Sequence, residues 1–177
     1  MPQFVDELIE KGNLVRKSGA GLYKTLVNKD GTKTHQVYDI EQNDYREVIK
    51  YTFPFVERMV GLLKTGDYDE AFKSLVENQS QEANICCMFL LKYILYALHT
   101  AECVGEDMHS ADDVMATGFN WCPPLALIEA FSGTEAFGKL CEERIDSEIL
   151  NKIKLEELLS KVEKSQYDYR RFVKAKR

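Results

Sequence analysis

The run from Gln81 to Val104 constrains the fold of this chain more than any other segment. A helix with one apolar stripe can lie on a surface, whereas one that is apolar over much of its circumference needs neighbours on several sides. This run is of the second kind and Gly105 stops it, so the expectation is the buried central helix of a bundle. Its greasiest part, Ile85 to Leu98, is interrupted by Lys92 and falls short of the roughly 20 apolar residues that cross a bilayer. It is read as core, and no contact with a membrane is expected.

Shorter periodic segments surround it. Pro2 to Lys11 sets Phe4, Val5, Leu8 and Ile9 at helical spacing, with Pro2 in the first turn and Gly12 as the stop. From Gly21 the pattern changes. Leu22 to Val27, the turn residues Asn28 to Thr32, and Thr34 to Tyr38 predict strand, turn and strand, and Tyr45 to Val48 adds a short third strand before Pro54. Phe55, Val56, Met59, Val60 and Leu63 recur every three or four residues up to Gly66, and Asp67 stands where a cap would start the helix that turns Tyr68, Ala71, Phe72 and Leu75 inward. Beyond Gly105, Ser110 is expected to cap a helix over Ala111 to Thr117. Gly118 would close that helix in the left-handed conformation, and Pro123-Pro124 would start the next. Phe137, Leu140 and Cys141 mark a further helix, and Ile149, Leu150, Ile153, Leu158, Leu159 and Val162 mark the last. The chain thus divides into a helix and connector (1–20), a β-hairpin insertion (21–48), a helical unit (49–145) and a helical, basic tail (146–177). The fold class is mainly α.

With 177 residues and 45% hydrophobic composition the chain can bury one sizeable core. A net charge of -6 argues against a nucleic-acid surface, which needs clustered excess cations. The cations from Arg170 to Arg177 are read as solvated, complementing a helix end. Five cysteines form neither a CxxC pair nor a disulfide-like framework, as in a reducing interior. Met1 is followed by no basic and apolar leader, so a cytoplasmic location is expected.

The stretch Asp112 to Gly133 couples a helix stop to a Pro-Pro restart. Its pattern is Asp-x-x-Met-x-x-Gly, an aromatic-containing linker, Pro, large apolar residues, an acid and a closing Gly. This resembles the C-terminal domain of 3-hydroxyacyl-CoA dehydrogenases. Upstream, Gly12-Asn13-Leu14-Val15-Arg16-Lys17-Ser18-Gly19-Ala20-Gly21-Leu22-Tyr23 resembles that family's Gly-x-Leu-x-Arg-Lys-Ser/Thr-Gly-x-Gly-Phe-Tyr connection. Two departures stand out: Pro123 occupies a position where the family usually has Gly, and Ser132 is an extra residue before Gly133. The resemblance implies a helical bundle like the C-terminal domain of 6-phosphogluconate dehydrogenase. In the long bacterial and archaeal members a Rossmann domain precedes helical units with a short β insertion. It also implies an oxidoreductase of fatty acid β-oxidation or related CoA-thioester metabolism, with NAD as oxidant, helical domains that close over the acyl-CoA substrate, and a homo-oligomer interface.

Hydride transfer needs a nicotinamide site and a positioned imidazole. The resemblance implies that both lie in the Rossmann NAD-binding half, the expected partner. Gly19-Ala20-Gly21 has a helix before it and a strand after it, the reverse of a dinucleotide fingerprint, and none of His35, His99 or His109 sits in the family's catalytic context. The expectation is no catalytic residue, no metal and no cofactor bound by this chain alone. The family carries an Asn near the substrate's reacting end, and counting back from Asp112 without gaps puts Cys87 there, with Asn84 one turn earlier. Either the register shifts and Asn84 serves as the substrate-binding residue, or the unit is a structural duplicate whose Cys87 cannot replace an amide. The apolar setting favours the duplicate.

Other candidates have plainer readings. His99 and Cys103 share a helix face, with Asp107 and His109 following, but the spacing matches no metal motif and suggests a buried imidazole and a packed thiol. Cys86-Cys87 reads as core, and Trp121 as a packing anchor for the linker from Gly118 to Pro123. Two rival functions remain: a stand-alone helical binding or assembly module derived from the domain, and an independent enzyme using His99, Glu102 and Cys103.

Overall fold

The computed structural model describes residues 2–13 and 19–174, so part of the Gly12 to Tyr23 connector and the last basic residues lie outside the described residues. The chain separates into two compact units, 1–51 and 52–177.

The first unit begins with α1 (Gln3–Glu10), which turns Leu8 inward and stops at Gly12, where φ is 72°. Three antiparallel strands follow in the order β1 (Tyr23–Val27), β2 (Lys33–Asp39) and β3 (Asp44–Glu47), paired Tyr23 with Val37 and Gln36 with Glu47. The hairpin and the third strand expected near Tyr45 to Val48 together form a three-stranded meander. Each turn is built by an aspartate that accepts backbone N–H groups. Asp30 takes that of Thr32, and Asp39 takes those of Glu41 and Gln42 at 3.0 and 3.1 Å.

The second unit is helical. α2 (Pro54–Thr65) ends at Gly66 in the left-handed conformation, φ 85°, and α3 (Tyr68–Glu77) follows. Asp67 occupies the cap position of α3, but its carboxylate makes no capping bond. α4 (Gln81–Val104) is capped by Ser80, whose hydroxyl accepts from Ala83 N. Then come α5 (His109–Asp113), a π-helical turn (Val114–Phe119), α6 (Pro124–Ala130), α7 (Thr134–Arg144), α8 (Ser147–Ile153), α9 (Leu155–Ser160) and a 3-10 turn (Tyr169–Arg171).

Several expectations need correcting. α4 buries Ala83, Cys87, Leu91, Ile94, Leu95, Leu98 and Ala101 against α3, α5, α6 and α9, yet Ile85 and Phe89 are 60% exposed and Tyr96 75%. It is a half-exposed wall. The central helix is α6, short enough to fit between the others, with every residue but Glu129 buried. By length and composition α4 as a whole, 24 residues, is long and apolar enough to cross a bilayer, while its inner run Ile85 to Leu98 is shorter than that. Gly118 does not adopt a positive φ; Asn120 does, at 52°, after the helix has widened into its π-helical turn. The single tail helix is two, broken at Lys154 with φ 49°, and beyond Ser160 the tail is largely irregular. Its anchor is Tyr169, buried edge-on against Phe72 at 5.8 Å with its hydroxyl donating to Asp69.

Candidate functional site

α5 and the segments around it are organised by one side chain. Asp112 is fully buried; its Oδ1 accepts from Leu125 N at 2.7 Å and its Oδ2 from the Ser165 hydroxyl. The carboxylate thus holds the first turn of α6, whose leading N–H groups lack helical partners, and ties the tail to α5. Burial raises its pKa above the usual aspartate value, while the bonds from Ser165 and Leu125 act in the opposite direction. On either side, His109 Nε2 lies 3.1 Å from Glu163 and the Tyr167 hydroxyl donates to Asp113 at 2.6 Å. The alternate tail residues Glu163, Ser165 and Tyr167 thus bond His109, Asp112 and Asp113 of α5.

The wall held in this way faces the C-terminal half of α4 across a cavity of about 640 Å³ lined by Tyr93, Tyr96, Val104, Val114, Met115 and Trp121 among others. The Tyr93 hydroxyl donates to Cys122 O at 2.8 Å, and its ring meets that of Trp121 at 6.2 Å. Trp121 is 54% exposed, so it is a rim residue and not the buried anchor its size suggested.

At the other end of α4, Asn84, Met88 and Lys92 border an open cleft of about 620 Å³ with Gln79 and Gln81. Arg144 orders this end: its Nη1 donates to Asn84 Oδ1 at 3.0 Å and its Nη2 to Val76 O at 2.5 Å. The two site candidates part company here. Asn84 stands at the cleft, while Cys87 is fully buried, its thiol pushed up in pKa by burial with Arg144 pulling the other way.

The remaining candidates do not assemble into a reactive centre. His99 Nε2 and Cys103 Sγ are 3.9 Å apart, and His99 Nδ1 is 3.8 Å from Glu102, too far for a hydrogen bond. Cys103 is exposed, not packed, and Glu102 is occupied by Lys161. Among the described residues no group of three or more His, Cys, Asp or Glu could hold a metal ion. Cys122 and Cys141 are both pushed up to about 12 by burial, which suits packing and not nucleophilic chemistry. Cys86, read as core, is exposed.

This fold, mainly helical with a small three-stranded antiparallel sheet, has a counterpart in sequence. The chain is similar to a probable 3-hydroxyacyl-CoA dehydrogenase of Bacillus subtilis (strain 168), 26% identical over 121 residues, a stretch covering 68% of this chain and 14% of that protein. The similarity supports a related domain. No family profile and no solved structure matches the chain.

Proposed function

We propose that the chain is the substrate-side and dimerisation part of an NAD-dependent 3-hydroxyacyl-CoA dehydrogenase, inactive until joined by an NAD-binding half. NAD would accept the hydride in the complete enzyme. The residues of this chain do not fit that cofactor, because Gly19-Ala20-Gly21 leads into β1, whereas a pyrophosphate loop must lead out of a strand into a helix. What the chain offers is a surface for the thioester.

The observation that carries this reading is Asn84 at the open cleft of α4. Arg144 occupies its carbonyl oxygen, so its amide group is oriented to donate, and to no acceptor among the described residues. Such a donor suits a thioester or 3-keto oxygen, and Lys92 two turns along suits an anionic head group. The exposed Ile85 and Phe89 beside them suit a subunit contact, the feature behind the proposed homo-oligomer. Buried Cys87, standing where the dehydrogenases carry an Asn when the motifs are aligned without gaps, favours the second reading of a stand-alone helical module.

Calorimetric titration of acetoacetyl-CoA into the chain alone, and into its mixture with a candidate NAD-binding half from the same genome, separates the two. Binding only in the mixture, weakened about tenfold by Asn84→Ala as expected for one lost hydrogen bond, supports the dehydrogenase reading. Tight binding by the chain alone, or no effect of Asn84→Ala, overturns it.

A further inference from the structure

The cavity at the C-terminal end of α4 lies outside that reading. Asn84 and Thr100 are about 24 Å apart along the helix at 1.5 Å per residue, so the cavity and the Asn84 cleft are separate places. Its volume of about 640 Å³ falls in the range of small-molecule sites, about 300–1,000 Å³. The wall facing α4 includes a π-helical turn that runs into Asn120, a non-glycine residue at φ 52°. The π-helical turn is an uncommon backbone feature of the kind found at functional sites, and Asn120 closes it as a left-handed cap.

Charge then selects the ligand. The lining includes the acid Glu106 and no lysine or arginine. No cation interrupts the sequence between Lys92 and Lys139, while Glu102, Glu106, Asp107, Asp112 and Asp113 all fall within it. Lys161 neutralises Glu102, Asp107 bonds Ser110, and Asp112 and Asp113 are taken up by Ser165 and Tyr167. Glu106 has no ion pair among the described residues. Tyr93, Tyr96 and Trp121 add three aromatic rings, whose faces attract a cation and attract it more as it loses water.

We propose that this cavity binds a small apolar cation, an amine or quaternary ammonium compound, its body against Val114 and Met115 and its charge between the aromatic rings and Glu106. The phosphates of a CoA thioester find no lysine or arginine in that lining and are repelled by Glu106.

Trp121 is the chain's single tryptophan, so its emission reports on the cavity directly. Three probes of one shape differ in charge: phenyltrimethylammonium is cationic, tert-butylbenzene neutral and benzenesulfonate anionic. The cation should saturate the Trp121 signal with an affinity about fivefold above that of the neutral compound, as cation–π attraction allows, and benzenesulfonate should give no saturation. Glu106→Gln should cut the cation's advantage about twofold, the effect of one exposed charge, and leave tert-butylbenzene unchanged. Ala97→Leu, which narrows the cavity, should weaken both, with circular dichroism confirming the fold. Equal affinity for cation and neutral compound, preference for the anion, or no binding of any probe overturns the proposal. So does displacement of the cation by acetoacetyl-CoA, an outcome independent of whether the Asn84 cleft binds that thioester.

Discussion

Asp112 can be changed in two ways that separate its hydrogen bonds from its charge. Asp112→Ala removes the acceptor for the buried Leu125 N–H and the partner of the Ser165 hydroxyl. A buried polar group left unpaired costs about 1–3 kcal/mol, so losing both partners should lower stability by about 3 kcal/mol. For a helical unit of this size that is about 10 °C in Tm. Asp112→Asn keeps an oxygen for Leu125 N and gives Ser165 an N–H, while removing a charge whose burial is unfavourable. It should unfold within about 1 kcal/mol of the native chain at pH 7. The two also differ with pH. Burial holds the folded-state pKa of Asp112 above its unfolded value of 3.8. The stability this contributes is fully present below that unfolded value and is lost as pH rises through the folded one. Relative to the Asp112→Asn variant, the native chain should therefore gain stability as pH falls from 7 towards 4. Urea unfolding followed by circular dichroism at several pH values measures both effects. If Asp112→Asn costs as much as Asp112→Ala, or if its difference from the native chain does not change with pH, the account of Asp112 as a buried acceptor fails.

Two further expectations concern α4 and the thiols. Phe89→Ser should change unfolding free energy by less than about 1 kcal/mol because its ring is mostly in solvent, whereas Leu91→Ala, two residues on and fully buried, should cost about 2–5 kcal/mol; equal costs in urea titrations would contradict the half-exposed wall. A disulfide reagent at pH 8 should label Cys86 and Cys103 rapidly and Cys87, Cys122 and Cys141 only on unfolding, since burial raises the pKa of each of the latter three. Rapid labelling of any of those three in the native protein would count against that packing.

Local chemistry made much of the fold legible. The ends of α4, the stop at Gly66, the restart at Pro123-Pro124 and the strands on either side of Asn28 to Thr32 all follow from backbone preferences within a few residues. Around α5 the same local signals misled. Ser110 looked like a cap because it precedes a helix. In the fold Asp107 accepts the Ser110 N–H at 3.0 Å and Ser110 bonds back to Asp107, which starts the helix earlier. Gly118 looked like the left-handed residue because glycine adopts that conformation at least cost, yet the π-helical turn carries the chain two residues further to Asn120. No spacing rule announces a π-helical turn, since it forms where neighbouring contacts make the wider turn worthwhile.

The candidate site divides in the same way. Asn84 and Cys87 could both be named from the chain, but three residues on a helix amount to most of a turn, and only the packing of α7 against this end of α4 sends one thiol into the core and leaves one amide on the cleft. Asp112 was visible as the first residue of a motif, though nothing local said it would be buried, because its partners Leu125 and Ser165 come from α6 and the tail. The sequence by itself determined which segments become helix or strand and many of their ends, since those signals act over three or four residues. Which face of α4 is covered, which helix lies at the centre, and where a cavity without cations opens were decided by tertiary structure. Each depends on segments that meet in space only after loop-closure and ordering entropy have been overcome by the burial of the core.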